Sequence, residues 1–98
     1  MTKADIIKDI QDRTNLNRDV IKIVIDSFME SVKENMSKGE NIYLRGFGTF
    51  LLKERKEKKA RIITKNETII VPPHYKPFFK PAPEFLKSVK TNLIIKSN

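Results

Sequence analysis

The chain has no cysteine and no tryptophan, a single histidine, and only three glycines in 98 residues. Without cysteine there is no disulfide framework, no thiolate nucleophile and no sulfur-ligated metal site. With His74 alone, a histidine-based metal or acid–base centre has little to stand on. Its position between Pro73 and Tyr75 suits a solvated loop residue better than a catalytic base. Long apolar runs are missing as well. The longest, such as Ile23–Ile25 and Ile69–Val71, are three residues, too short for any bilayer-spanning helix. The opening MTKADIIKDI lacks the apolar centre of a secretory signal and reads as the start of a helix. These absences lead us to expect a cytoplasmic, non-enzymatic protein with no metal, no cofactor, no small-molecule substrate and no membrane partner.

What is abundant is positive charge, and it is unevenly placed. The formal net charge is +8, from 20 Lys and Arg against 12 Asp and Glu. Residues 1–44 hold seven basic and eight acidic side chains, whereas residues 45–98 hold thirteen and four. The second half is therefore the side that faces a polyanion. Asp5, Asp9 and Asp12 recur at helical spacing in the first half and read as a solvated face.

The length fits one domain, of a size at which a lone chain buries only about 60–65% of its unfolded surface, so help from a partner subunit is expected. Thr2 followed by Asp5 resembles a capping box, and a first helix is expected from Lys3 to Thr14. Asn15-Leu16-Asn17 breaks it, with Asn17 as N-cap of a second helix. In that helix Val20, Val24, Phe28 and Val32 recur every four residues, flanked by Ile21, Ile25, Met29 and Met36. The stripe is too broad for a helix with one neighbour. Gly39 supplies the stop.

Residues 41–81 change character. Asn41–Phe50 (NIYLRGFGTF) reads as a short strand, a glycine-punctuated turn and the start of a second strand. Gly46 and Gly48 permit a positive φ or a close backbone approach. The pair is a poor phosphate loop, because it lacks the third glycine and a following helix. Lys53–Arg61 (KERKEKKAR) then places Lys or Arg at six of nine positions. If it is one strand, Lys53, Arg55, Lys59 and Arg61 share a face and Lys56 and Lys58 take the other. Both faces are cationic, so neither is a core face. Thr68–Val71 returns as strand until Pro72-Pro73 stops it. Pro77, Pro81 and Pro83 are expected to mark irregular, stiff chain before a last helix from Glu84 to about Leu93, which Leu93, Ile94 and Ile95 would extend. The predicted order is α-α-β-β-β-α, an α+β fold whose two-stranded ribbon carries the charge.

Taken together, RGFGTF (Arg45–Phe50), the basic strand with Lys59 and Arg61, IIVP (Ile69–Pro72) and FKP (Phe79–Pro81) resemble the bacterial HU/IHF family of histone-like DNA-bending proteins. The likeness runs from about Thr2 to Lys90, and Arg45 before the motif looks more like the IHF β-type subunit. The resemblance implies a single domain over 1–98 that forms an intertwined homodimer or heterodimer. Residues 1–40 would be the helical dimerisation part, 41–81 a three-stranded antiparallel sheet with a long β-ribbon arm, and 82–98 a C-terminal helix and tail. Phe28, Phe47, Phe50 and Phe79 would fill the dimer core. The arms would lie in the minor groove of double-stranded DNA, each with an apolar wedge at its tip. Where the family commonly reads G-R-N-P, this chain has Ala60, Arg61, Ile62 and Ile63, so Ile63 takes the wedge position. Isoleucine is among the residues that wedge base steps. Asn66 stands where a glycine is usual. Arg61 and Lys65 would lie near the wedge, and Arg45, Lys53, Arg55, Lys56, Lys58, Lys59, Lys76 and Lys80 along arm and saddle. Lys3, Lys87 and Lys90 would meet the flanks of bent DNA. The implied function is bending of duplex DNA and organisation of the bacterial nucleoid. Two other classes remain: a basic single-stranded RNA-binding module, which needs aromatics on an exposed sheet face, and a structural assembly protein whose arms grip an acidic partner.

Overall fold

The computed structural model describes residues 1–62 and 67–95, with the side chains of 58–62 and 67 outside that description. The chain divides into two compact units, Met1–Lys38 and Gly39–Asn98.

The first unit is a helix pair, α1 (Lys3–Thr14) and α2 (Arg18–Ser37). The ends are set by short polar side chains, as the sequence indicates. Asp5 Oδ2 accepts from the Thr2 backbone N–H at 2.8 Å, and Thr2 Oγ1 accepts in return from the Asp5 N–H, which closes the capping box. α1 ends where Asn15 takes the left-handed conformation (φ 57°) and its N–H reaches the Gln11 carbonyl. Asn17 Oδ1 then accepts from the Asp19 N–H at 2.7 Å to start α2, and Gly39, at φ 93°, follows its end. Ile7 and Ile21 are buried between the helices, and Met36 is buried near the end of α2. These three are the only buried apolar side chains among the described residues. Ile25 and Val32 are half-buried, and one row of the α2 stripe is uncovered: Val24 is 61% exposed and Phe28 44%.

The second unit contains β1 (Ile42–Leu44), β2 (Gly48–Arg55), β3 (Lys58–Ile62), β4 (Glu67–Val71), β5 (His74–Pro81) and α3 (Pro83–Asn92). β1, β2 and β5 form an antiparallel sheet in that order, and β3 pairs with β4. The expected three strands are thus divided into five. Arg55 pairs with His74 and Lys58 with Val71, so exactly matched gaps of two residues, Lys56-Glu57 and Pro72-Pro73, face each other in an unchanged register. The ladder lapses there because proline has no N–H to donate. The basic stretch is therefore not one continuous strand, and Lys56 lies in the gap.

A second expectation is overturned. The segment with Pro77 and Pro81 is not irregular chain but strand β5, with Pro77 opposite Leu52 and Pro81 opposite Gly48. Among the described residues β5 pairs only with β2, and an edge strand tolerates prolines because its outer N–H groups have no ladder to serve. α3 begins with Pro83 in its first turn, as its preset φ favours. It stops at Asn92. Leu93 is extended (φ −120°, ψ 99°), so Leu93–Ile95 do not prolong the helix. No helix among the described residues is long and apolar enough to cross a membrane.

Candidate nucleic-acid interface

Strand alternation sorts the three-stranded sheet into two chemically opposite faces. On one, Ile42 and Leu44 of β1 share a side with Gly48, Phe50 and Leu52 of β2 and with Pro77 and Phe79 of β5. Phe79 lies 4.9 Å from Phe50 and 5.2 Å from Phe47 between ring centroids, and Phe85 of α3 lies 5.4 Å from Phe47. The turn that carries Phe47 depends on Gly46, at φ 81°, and is tied to the end of β5 by the Ala82 N–H donating to the Phe47 carbonyl at 2.9 Å. The GFGTF and FKP motifs therefore meet in one aromatic cluster. Phe50 and Phe79 are half-buried, while Phe47 remains exposed in the single chain.

The opposite face carries Tyr43, then Thr49, Leu51, Lys53 and Arg55, then His74, Lys76, Phe78 and Lys80. It has no carboxylate. Lys53, Arg55, Lys76 and Lys80 are exposed, and none forms an ion pair with a described residue. Lys53 Nζ sits 3.7 Å from the centroid of the Phe78 ring. At Arg55 the face reaches the Pro72-Pro73 gap, where His74 Nδ1 lies 3.0 Å from the Pro72 carbonyl oxygen. His74 thus opens a strand instead of occupying a loop.

The remaining sequence-derived candidates are less concentrated. Arg45 is exposed in the turn after β1, Lys56 in the gap, and Lys87 and Lys90 on α3. Lys58, Lys59 and Arg61 lie on β3, with Lys59 opposite Ile70 and Arg61 opposite Thr68. Ile63, Lys65 and Asn66 lie outside the described residues. Lys3 belongs to the helical unit, and its Nζ donates to Asp26 Oδ1 at 2.8 Å. That hydrogen bond holds the Asp26 carboxyl below the usual carboxylate range. The pair is intact above the ordinary aspartate pKa and is lost as pH falls through the lowered value. Both partners are partly exposed, so a phosphate can replace Asp26 on Lys3 at small cost.

Sequence reasoning missed Phe78 and Tyr43, and did not join Phe85 of the last helix to the motif phenylalanines. With the prolines taken as irregular chain, the Phe78-Phe79 pair had no alternation to separate its members. Once β5 is a strand, adjacent residues must point to opposite faces, which puts Phe79 in the cluster and Phe78 among the lysines.

Comparison with known proteins follows the same geometry. The family described as bacterial DNA-binding protein matches residues 1–90. The chain is 34% identical over 89 residues to the DNA-binding protein HU of Clostridium pasteurianum, a match covering 91% of this chain and 98% of that protein. It is 31% identical over 94 residues to the integration host factor subunit beta of Hahella chejuensis, covering 95% and 96%. Among solved structures it resembles HU in the Anabaena HU–DNA cocrystal structure, with a TM-score of 0.86 and 26% identity, covering 92% of this chain and 98% of that one.

Proposed function

This chain belongs to the bacterial DNA-binding family of HU and integration host factor, and from that we propose that it is an architectural protein that bends duplex DNA and organises the bacterial nucleoid. It acts as a homodimer or a heterodimer with a related subunit, in the cytoplasm, with no catalytic step. The observation that carries the reading is the carboxylate-free cationic face of the β1-β2-β5 sheet, continued in unchanged register by the basic ribbon. Such a face neutralises phosphates and releases their counterions. The dimer is supported by the uncovered apolar row on α2, because a soluble chain does not leave Val20, Val24 and Phe28 to water without a partner. In this reading Phe28, Phe47, Phe50 and Phe79 contribute to the dimer core.

The residues proposed for phosphate contact are Lys53, Arg55, Lys76 and Lys80 on the sheet and Lys56, Lys58 and Lys59 along the ribbon. Arg61 and Lys65 are assigned to the neighbourhood of the minor-groove wedge by the family motif, Arg45 to the saddle, and Lys3, Lys87 and Lys90 to the flanks. Lys76→Ala should weaken duplex binding across all sequences and lower the slope of log affinity against log salt by about 0.9 per charge removed, or about 1.8 in a dimer. Titrations at four salt concentrations measure this. An unchanged slope would remove Lys76 from the interface.

Ile63 is proposed as the wedge by its position in the family motif. Insertion costs a few kcal/mol of unstacking, offset by the protein surface that bent DNA can wrap. Ile63→Ala should retain binding and lose most of the bend, measured by energy transfer between the ends of a labelled duplex. A mutant that bends DNA as strongly as wild type rules this residue out.

A further inference from the structure

We infer that the cationic sheet face also takes unpaired bases, stacking them on Phe78 and Tyr43, and so forms a site for single-stranded nucleic acid separate from the arms. The inference rests on this face meeting nucleic acid, as proposed above, and adds a ligand class to it.

Phe78 is 43% exposed and Tyr43 75%, and both stand on the face opposite the Phe50–Phe79 cluster. Neither suits a dimer core. Phe78 is flanked along β5 by Lys76 and Lys80, faces Leu51 across the ladder, and has Lys53 over its ring from the diagonal position. An apolar partner surface laid over that ring would also strip water from three lysines with no carboxylate on the face to receive them, a heavy cost. An anionic strand with exposed π-faces satisfies both groups at once. Its phosphates meet the lysines, and its bases meet the rings. A duplex presents the phosphates but keeps its base faces stacked internally, so ring stacking selects unpaired bases. In the free protein Lys53 occupies the Phe78 ring. A stacked base takes that place, and the ammonium moves to the strand's phosphates. The two rings are two strands apart and offset by two residues along the strands, roughly 12 Å, so each receives its own base.

The test uses the full chain and fluorescence anisotropy with four labelled probes: twelve-nucleotide oligo-dT, twelve-nucleotide oligo-U RNA, an abasic deoxyribose-phosphate strand of the same length, and a straight duplex. Wild type should bind at least one of the two base-bearing strands about fivefold or more tightly than the abasic strand. Comparison of oligo-dT with oligo-U identifies whether DNA or RNA is the better source. Phe78→Leu keeps an apolar side chain on the strand and should cost about fivefold on the preferred oligomer, leaving abasic and duplex affinity within twofold. Tyr43→Leu should act in the same direction. Equal wild-type affinity for abasic and base-bearing strands would overturn the inference. So would an equal loss on all four probes in both variants. Base-dependent single-strand binding without duplex binding would instead overturn the architectural reading and leave this site standing.

Discussion

Val24→Asp is expected to abolish the dimer. Val24 is 61% exposed on α2 in the single chain and belongs to the row with Val20 and Phe28. If a second subunit covers that row, the substitution places a carboxylate in an apolar interface without a partner, which costs several kcal/mol. That is a large share of the 5–15 kcal/mol that holds a small protein together. The wild type should therefore show a melting temperature that rises with protein concentration, as mass action requires of a folded dimer. Val24→Asp should lose both the concentration dependence and the cooperative transition, and should sediment at monomer mass or fail to fold. Lys22→Asp is a control on another side of the same helix, where the side chain is already exposed. It should sediment with the wild type. A Val24→Asp protein that dimerises as tightly as wild type would mean that α2 is not the interface.

Gly48→Ala should destabilise the sheet by roughly 1–3 kcal/mol, the usual cost of overpacking. Its backbone is not in the left-handed region, so the reason is space. A Cβ at this position would stand 2.5 Å and 2.6 Å from two Phe79 ring atoms and 2.7 Å from the Lys80 carbonyl oxygen. The ring could rotate away only by leaving Phe47 and Phe50, and the carbonyl belongs to the β2–β5 ladder. Chemical denaturation should register the loss as a lower midpoint. Gly46→Ala makes an informative contrast. Nothing stands within 4 Å of its added Cβ, but its φ of 81° is strained for any L side chain. The two glycines of one motif thus serve different ends. A midpoint for Gly48→Ala within error of wild type would refute the packing argument.

The helical unit was legible residue by residue. Thr2, Asp5, Asn15, Asn17 and Gly39 are local signals, and local chemistry decides where helices start and stop. Gly46 and Gly48 were legible as a pair that permits a positive φ or a close approach; that Gly46 has the first role and Gly48 the second required the fold. The strand β5 was hidden because proline is a breaker by local rules. Its acceptability depends on whether a second neighbour exists, and that is a property of the sheet and not of the segment. The same hidden fact concealed how the site is assembled. Lys53 and Arg55 were placed on one face by alternation, but their junction with Lys76, Phe78 and Lys80 depends on the β2–β5 pairing. The charge imbalance between the two halves identified a polyanion surface, and the motifs identified the family; neither located the exposed rings.

The matched gaps at Lys56-Glu57 and Pro72-Pro73 set a rule for re-engineering this ribbon. Because the register is the same on both sides, each long strand carries its inside-outside parity through the interruption. Removing one residue from either strand would exchange its two faces and turn the lysine row over. Removing both gap pairs together would shorten the reach by about 7 Å and preserve every cross-strand partner. The length of the ribbon is therefore quantised: it changes in steps of two residues on each strand, and variants of other lengths would not keep the same surface.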